Sequence, residues 1–387
     1  MARQLTLVHA PDPSETGAEA AVTSTVLPAI CACLEGTAPV AVLPSGPSAV
    51  VGAARTALRP TEPVEPGADL VVVTSGSTGR ARAVLLPASA MRASSVSALD
   101  RLGGPGSWLL ALPASAMGGL QVLFRSALTG RAPAVLERGE TLAEALRRLP
   151  PGDRHYTSLV PTQLRRFLDR EPDALRSFDG VLVGGAATDP ELLDRARRAG
   201  VAVITTYGMT ETAGGCVYDG RPLDGVRVRI DHDGVLLAGP VLALGYRLDP
   251  RATAAAFRDG WFVTRDAGRL DDGGRLTVSG RLDDVVLTGG VNVAPAAVEA
   301  VLREHPDVED AVVFGRPDDE WGQRVVAAVV PRPCTAPDLA TLRSWVAARL
   351  GPPAAPRELH TIAAVPALHT GKPDRRAVAA AVVEGTR

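Results

Sequence analysis

Four short β-branched runs in this chain each stop directly in a glycine-rich or hydroxyl-rich loop. Leu70–Val73 leads into TSGSTG, Trp108–Leu112 into PASAMGG, Val181–Val183 into GGAAT, and Val201–Thr205 into TYGMTET. Ala-, Leu- and Arg-rich stretches lie between them at 142–149, 162–169 and 190–199, with apolar residues at helical spacing. Strands that end in small-residue loops and alternate with helices predict α/β layers, with ligands held at the strands' C-terminal ends. The large N-terminal α/β domain, with layered sheets and a β subdomain, is expected over residues 1–282.

The pattern changes after Gly234. Short runs separated by DHDGV and LDDGGRL read as antiparallel β structure. Pro295 then stands just inside a helix start, followed by apolar Val298, Val301 and Leu302. Strand-like 308–314 and 324–330, a helix over 339–350, and a final strand and helix predict a small mobile C-terminal α+β domain over 283–387. The proline-rich patches at 331–337 and 352–356 fall inside that domain as loops.

Composition excludes several classes of function. A formal charge of −2 over 387 residues gives no global attraction to nucleic acid. Cys31, Cys33, Cys216 and Cys334 form no CxxC pair and read as reduced packing cysteines. No apolar run approaches the ~18 residues of a membrane span, and the first residues carry no sustained signal-type apolar stretch. A cytoplasmic enzyme or binding protein is expected. Among 41 Lys plus Arg residues only Lys372 is lysine. Where arginine has replaced lysine almost everywhere, the surviving ammonium marks a position that a planar guanidinium cannot serve.

Residues 74–82 follow a strand and supply the hydroxyls of Thr74, Ser75, Ser77 and Thr78, the glycines Gly76 and Gly79, and the guanidinium groups of Arg80 and Arg82. Such a loop can present backbone N–H groups and hydroxyls to phosphate beside positive charge. The GxxxxGK[ST] pattern of P-loop nucleotidases is absent from the chain. In isolation such a loop is better read as an ordinary Ser/Gly turn.

Five segments in order decide between these readings. TSGSTGRARAV at 74–84, YGMTET at 207–212, TRDAGRL at 264–270, SGRLDDVVLTGGVNVAPAAVEAVL at 279–302 and HTGKPDRRAV at 369–378 resemble the motifs of the acyl-adenylate-forming superfamily. That superfamily includes acyl-CoA synthetases, nonribosomal adenylation domains and luciferases. The resemblance implies two steps. A carboxylate attacks the α-phosphate of ATP and releases pyrophosphate; a thiol, coenzyme A in the synthetases, then attacks the acyl-adenylate and releases AMP. It also implies roles: Thr74, Ser75, Gly76, Ser77, Thr78, Gly79 and Arg82 around the β/γ-phosphates, Gly184, Gly185 and Ala186 beside adenine and the acyl group, and Tyr207 stacked on adenine. Thr210 is implied at the α-phosphate, Glu211 on Mg²⁺, Asp266 and Arg281 on the ribose, and Lys372 between carboxylate and α-phosphate. Asp283 falls at the hinge of the C-terminal lid, and Gly289 and Gly290 at the CoA channel. Many members self-associate, so a homo-oligomer is a further expectation.

The chain is short for this superfamily, and residues 65–385 resemble the short actinobacterial o-succinylbenzoate–CoA ligases of menaquinone biosynthesis. Two departures stand out. Arg82 takes a lysine position, flanked by Ala81 and Ala83 in place of proline and glycine. Ser115, Ala116 and Met117 replace a histidine-bearing stretch that borders the acyl pocket, and Ala116 can neither donate a side-chain hydrogen bond nor carry charge. Ser115, Met117, Gln163, Gly185 and Gly208 are the candidate acid-pocket residues. The alternatives are another aryl or acyl acid, an amine or carrier-protein acceptor, and a non-catalytic nucleotide binder.

Overall fold

The computed structural model describes residues 3–11, 17–75, 81–232, 234–366 and 374–384. The chain forms two compact units. One comprises residues 1–229, 236–263 and 272–276, the other residues 230–235, 264–271 and 277–387.

Two sheets organise the first unit. Strands β1 (Thr6–His9), β2 (Val40–Leu43), β3 (Leu70–Ser75) and β4 (Ala81–Leu86) begin the first. The second contains β5 (Ser107–Leu110), β6 (Ala134–Val135), β7 (His155–Leu159), β8 (Gly180–Val183), β9 (Val203–Met209), β10 (Gly214–Tyr218) and β11 (Arg221–Pro222). Its order is β11-β10-β9-β8-β7-β5-β6. From β6 to β9 the neighbours are parallel, and β10 and β11 return antiparallel. Every residue of β5 and β8 is buried, as expected for strands covered on both faces. The crossover helices follow local rules. Pro190–Arg198 opens with Pro at its first turn, is capped by Asp189 accepting from the Glu191 N–H at 3.0 Å, and buries Leu192 and Ala196.

Strands β12 (Arg227–Asp231), β13 (Gly234–Ala238) and β14 (Gly245–Tyr246) come next. β14 does not stay with its neighbours in sequence. It completes the first sheet, in the order β1-β2-β3-β4-β14, with Tyr246 opposite Val84. β15 (Phe257–Arg258), β16 (Trp261–Leu270) and β17 (Leu276–Arg281) form the third sheet with β12 and β13. The expected helices at 162–169, 190–199 and 339–350 are present as Pro161–Arg170, Pro190–Arg198 and Leu339–Leu350. One expectation is corrected: TYGMTET is not loop from Thr206 onward, because β9 continues through Met209. Pairing with β10 carries the strand on.

The second unit is an α+β layer on β18 (Val286–Thr288), β19 (Val291–Val293), β20 (Val308–Asp318), β21 (Gly322–Pro331) and β22 (Glu358–Thr361). β21 pairs with β18, β20 and β22. Helices Pro295–Arg303 and Leu339–Leu350 place Val298, Leu302, Leu342 and Val346 against Val313 and Val329 in one core.

Arg247, next to β14, shows how strongly the first unit fixes that strand. Its side chain is fully buried. It donates to the carbonyls of Leu58, Arg59, Glu62 and Pro63, and pairs with Glu65 at 2.7 Å. Arg247→Ala leaves these oxygens and the Glu65 charge without their donor. It should destabilise the fold by about 3–5 kcal/mol in urea unfolding, whereas a loss below 1 kcal/mol would show that the clamp is dispensable.

Candidate active site

Adjacent parallel strands β8 and β9 end side by side. At that edge Gly184 follows β8 and donates to Leu159 O at 3.2 Å. A Cβ on Gly184 would lie 2.2 Å from Thr206 Oγ1, so glycine is required for the close approach to β9. Gly184, Gly185 and Ala186 are thereby grouped with Thr206 and the Tyr207–Glu211 segment. A Cβ on Gly208 would meet Gly214 O at 2.1 Å, which explains glycine there as well.

The chain then reverses through a 3₁₀ turn, Thr210–Thr212, and Ala213 takes a left-handed φ of 50°. Such a backbone is unfavourable for a residue with a Cβ and must be held from outside. Ser94 Oγ donates to Ala213 O at 3.0 Å. The Gln121 amide donates to the same oxygen and to Ser94 Oγ at 3.2 Å, and its carbonyl accepts from Ser95 Oγ at 3.2 Å. Thr212 Oγ1 accepts from the Met209 N–H at 3.0 Å and donates to Gly214 O at 2.8 Å. Ser94, Ser95, Gln121 and Thr212 are all buried. Thr210 is buried at the head of this turn, and Glu211 is half-buried.

Glu211 accepts a hydrogen bond from Tyr246 Oη at 2.9 Å. The ring of Tyr246 in turn lies under the Arg82 guanidinium, 5.3 Å from its centroid. Burial, then the Glu211 charge, hold the Tyr246 phenol well above its ordinary pKa, so it remains a neutral donor. Thr74 lies opposite Arg82 in the β3–β4 pair, and Ser75 opposite Ala81. The hairpin therefore brings the β4 end of the hydroxyl-rich loop, through Arg82, to Tyr246. Gly76, Ser77, Thr78 and Gly79 lie outside the described residues, as does the Ser75 side chain.

Ala116 caps the helix Met117–Thr129 without a side-chain hydrogen bond, and Ser115 and Met117 are half-buried beside it. Gly119 is fixed by Pro113 O, 2.1 Å from where a Cβ would stand. One turn beyond Gln121 the same helix buries Arg125. Its guanidinium stacks over Trp108 at 4.8 Å and donates to Tyr218 Oη at 3.1 Å, while its Nε has no acceptor. No carboxylate pairs with it among the described residues. Burial lowers its pKa, and Tyr218 offsets this only in part. Gln163 is engaged at both ends of its amide, accepting from the Val160 N–H at 3.1 Å and donating to Ala111 O at 2.7 Å. Burial pushes the Cys216 thiol up to about 12, so it offers no thiolate to act as an acyl acceptor.

In the second unit Asp266, buried on β16, and Arg281, exposed at the end of β17, form an ion pair with 3.3 Å between Oδ1 and Nε. The backbone of Asp283 lies in the 3₁₀ turn Leu282–Asp284; its side chain is outside the described residues. Gly289 and Gly290 make the β18–β19 hairpin turn with φ of 56° and 78°, conformations that favour glycine. Gly289 also packs on Trp321, whose ring would stand 2.9 Å from an added Cβ. Lys372 lies outside the described residues.

The sequence model of the AMP-binding enzyme family matches residues 9–244, and that of the AMP-binding enzyme C-terminal domain matches residues 297–372. The chain belongs to the AMP-binding enzyme family. It is 45% identical over 368 residues to the Mycobacterium tuberculosis (strain CDC 1551 / Oshkosh) protein named "Probable 2-succinylbenzoate--CoA ligase", spanning 92% of this chain and 94% of that one. The solved o-succinylbenzoate CoA synthetase of Bacillus subtilis, in complex with the acyl-adenylate intermediate OSB-AMP, superposes with a TM-score of 0.79 at 24% identity, covering 97% of this chain and 88% of that one. The amide bond synthetase McbA of Marinactinospora thermotolerans gives a TM-score of 0.76 at 26% identity, with 98% and 90% covered. The shared fold is mixed α/β in two domains, the C-terminal one smaller. No helix among the described residues is long and apolar enough to cross a membrane.

Family membership makes the arrangement intelligible. No group of three or more His, Cys, Asp or Glu side chains stands ready for a metal among the described residues. Glu211, a half-buried carboxylate with no cationic partner among the described residues, is a hard oxygen donor of the kind that suits Mg²⁺. Sequence reading missed Tyr246, Gln121 and Arg125. The Gly-Tyr pair of β14 and the polar residues inside an otherwise apolar helix were the available signals. Gln121→Leu should lower stability by about 1–3 kcal/mol, because Ser95 and Ala213 O lose a buried partner, and should weaken ATP binding by loosening the Glu211 turn. Unchanged ATP affinity in calorimetry, with the stability loss present, would separate the network from the site.

Proposed function

We propose that this chain is an ATP-dependent carboxylic acid–CoA ligase that forms an acyl-adenylate and then a CoA thioester, with 2-succinylbenzoate as its acid. The observation that carries the reading is the Arg82–Tyr246–Glu211 contact at the end of the β3–β4 hairpin, in a chain 45% identical to a ligase named for that acid. Joining a carboxylate to a phosphate brings two anions together, so neutralisation and alignment are what the protein must provide.

Thr74, Ser75, Gly76, Ser77, Thr78, Gly79 and Arg82 hold the β- and γ-phosphates. Gly184, Gly185, Ala186 and Tyr207 line adenine, and Asp266 with Arg281 binds the ribose. Glu211 holds Mg²⁺, which supplies charge neutralisation at the phosphates. Thr210 orients the α-phosphate, and Lys372 bridges it to the attacking carboxylate. Ser115, Met117, Gly185 and Gly208 border the acid, with Gln163 supporting the wall behind it. Residues 283–387 act as a lid that turns at Asp283, withdrawing Lys372 and bringing Gly289 and Gly290 to the thiol channel. Use of ATP and CoA supports a cytoplasmic location.

A second reading, transfer to an amine or activation of a different acid, draws on Ala116 in place of the histidine and on the fold likeness to an amide bond synthetase.

Carboxylate-dependent ATP–pyrophosphate exchange, run with 2-succinylbenzoate beside monocarboxylic aryl acids, decides the acid; mass detection of products with CoA or amines present decides the acceptor. Exchange with other acids only would sink the substrate assignment and leave the enzyme class. Lys372→Ala should abolish adenylation far more than thioester formation from supplied acyl-adenylate; equal loss in both contradicts the lid exchange.

A further inference from the structure

Tyr246 reaches the site by an indirect route. The chain leaves Glu211, runs through β10 to β13, and returns as β14 to the edge of the first sheet. The return is fixed at several points. The Ala243 N–H donates to Glu211 O at 2.8 Å, and the Arg247 N–H donates to Ala83 O at 2.9 Å. The Tyr246 N–H donates to Thr253 Oγ1 at 2.9 Å, and a Cβ on Gly245 would lie 2.3 Å from the Thr253 side chain. Phe257 packs edge-on to the Tyr246 ring at 6.0 Å. This strand of two residues is held far more firmly than its length requires.

Its tyrosine touches two groups of opposite charge at once. The hydroxyl donates to Glu211 Oε1, and the ring carries the Arg82 guanidinium. Arg82 and Glu211 themselves form no ion pair among the described residues. A guanidinium and a carboxylate this close to a common neighbour would pair directly if the phenol were absent, and each would then be lost to its ligand. Arginine, rather than lysine, also suits the contact, because its planar cation stacks on an aromatic face.

We propose that Tyr246 is a positioning residue that keeps Arg82 and Glu211 apart, holding one carboxylate oxygen by its hydroxyl so that the other faces the divalent cation. The inference rests on the reading of Glu211 as the metal carboxylate. The hydroxyl sets the orientation of the carboxylate, and the ring sets the separation of the charges. The two contributions are separable by substitution. Tyr246→Phe keeps the ring and removes the hydrogen bond, whereas Tyr246→Leu removes both.

Mn²⁺ binding in the presence of a non-reacting ATP analogue, followed by electron paramagnetic resonance on the full chain, reads the metal site without turnover. Tyr246→Phe should weaken Mn²⁺ about tenfold, as expected for one hydrogen bond to a charged group, with the thermal midpoint close to that of the parent. Tyr246→Leu should weaken it further and also raise the KM for ATP, because Arg82 is drawn to Glu211. Glu211→Gln is the reference. If it leaves Mn²⁺ affinity unchanged, the metal reading falls and the inference with it. If it abolishes binding while Tyr246→Phe stays within twofold of the parent, the positioning role alone is overturned. A Tyr246→Phe loss matched by an equal loss at Thr253→Ala, with both midpoints depressed, assigns Tyr246 to the packing of β14 and overturns the proposal.

Discussion

The antiparallel return of β10 on β9 is the constraint on which the site depends. Parallel strands can end freely at their loops, but β9 continues past the sheet's edge and must reverse within four residues. Gly208 lets β10 approach, and the reversal forces Ala213 into a left-handed conformation. The strain is contained because Ser94 and Gln121 hold the Ala213 carbonyl, while Thr212 ties Met209 to Gly214. Thr210 and Glu211 therefore project from a turn with little freedom, so little reorganisation remains when a charged ligand arrives.

Buried polar groups recur throughout the first unit and fall into two kinds. Arg247 and the Ser94–Ser95–Gln121 group have their hydrogen bonds largely met, and they fix the paths of β14 and of the Glu211 turn. Arg125 differs. It lies among Trp108, Tyr218 and the helix interior, and among the described residues its Nε has no acceptor and no carboxylate pairs with it. Satisfied networks give shape, whereas a buried cation with only neutral partners costs stability.

That distinction also explains what was legible in the sequence. The parallel strands, the later helices and the ordered motifs were readable because apolar period and glycine placement carry them directly. Helix Ala88–Arg101 was not. Its buried face includes Ser94 and Ser95 beside Met91 and Leu99, so its apolar stripe is interrupted. Met117–Thr129 escaped for the same reason, since Gln121, Arg125 and Ser126 are buried on it. The elements hardest to read are those that support the Glu211 turn and supply the buried cation. Tyr246 was hidden differently, because its strand pairs with β4, some 160 residues earlier in the chain.

The two basic residues singled out by the motifs are given different tasks by the proposed function. Arg82 has an aromatic face beneath it, and a delocalised planar cation can stack there while leaving N–H groups for the phosphate contact proposed for it. An ammonium would fit that contact less well, so arginine at this position is compatible with the site. Lys372 serves a different geometry by proposal, a single point between two oxygens of separate groups, where a compact charge on a flexible stem is suited and a fork is not. In a chain that uses arginine for the other forty of its basic residues, the contrast between these two positions follows from how each cation is to be approached. The aromatic neighbour suits arginine at one position, and the proposed bridging task calls for lysine at the other.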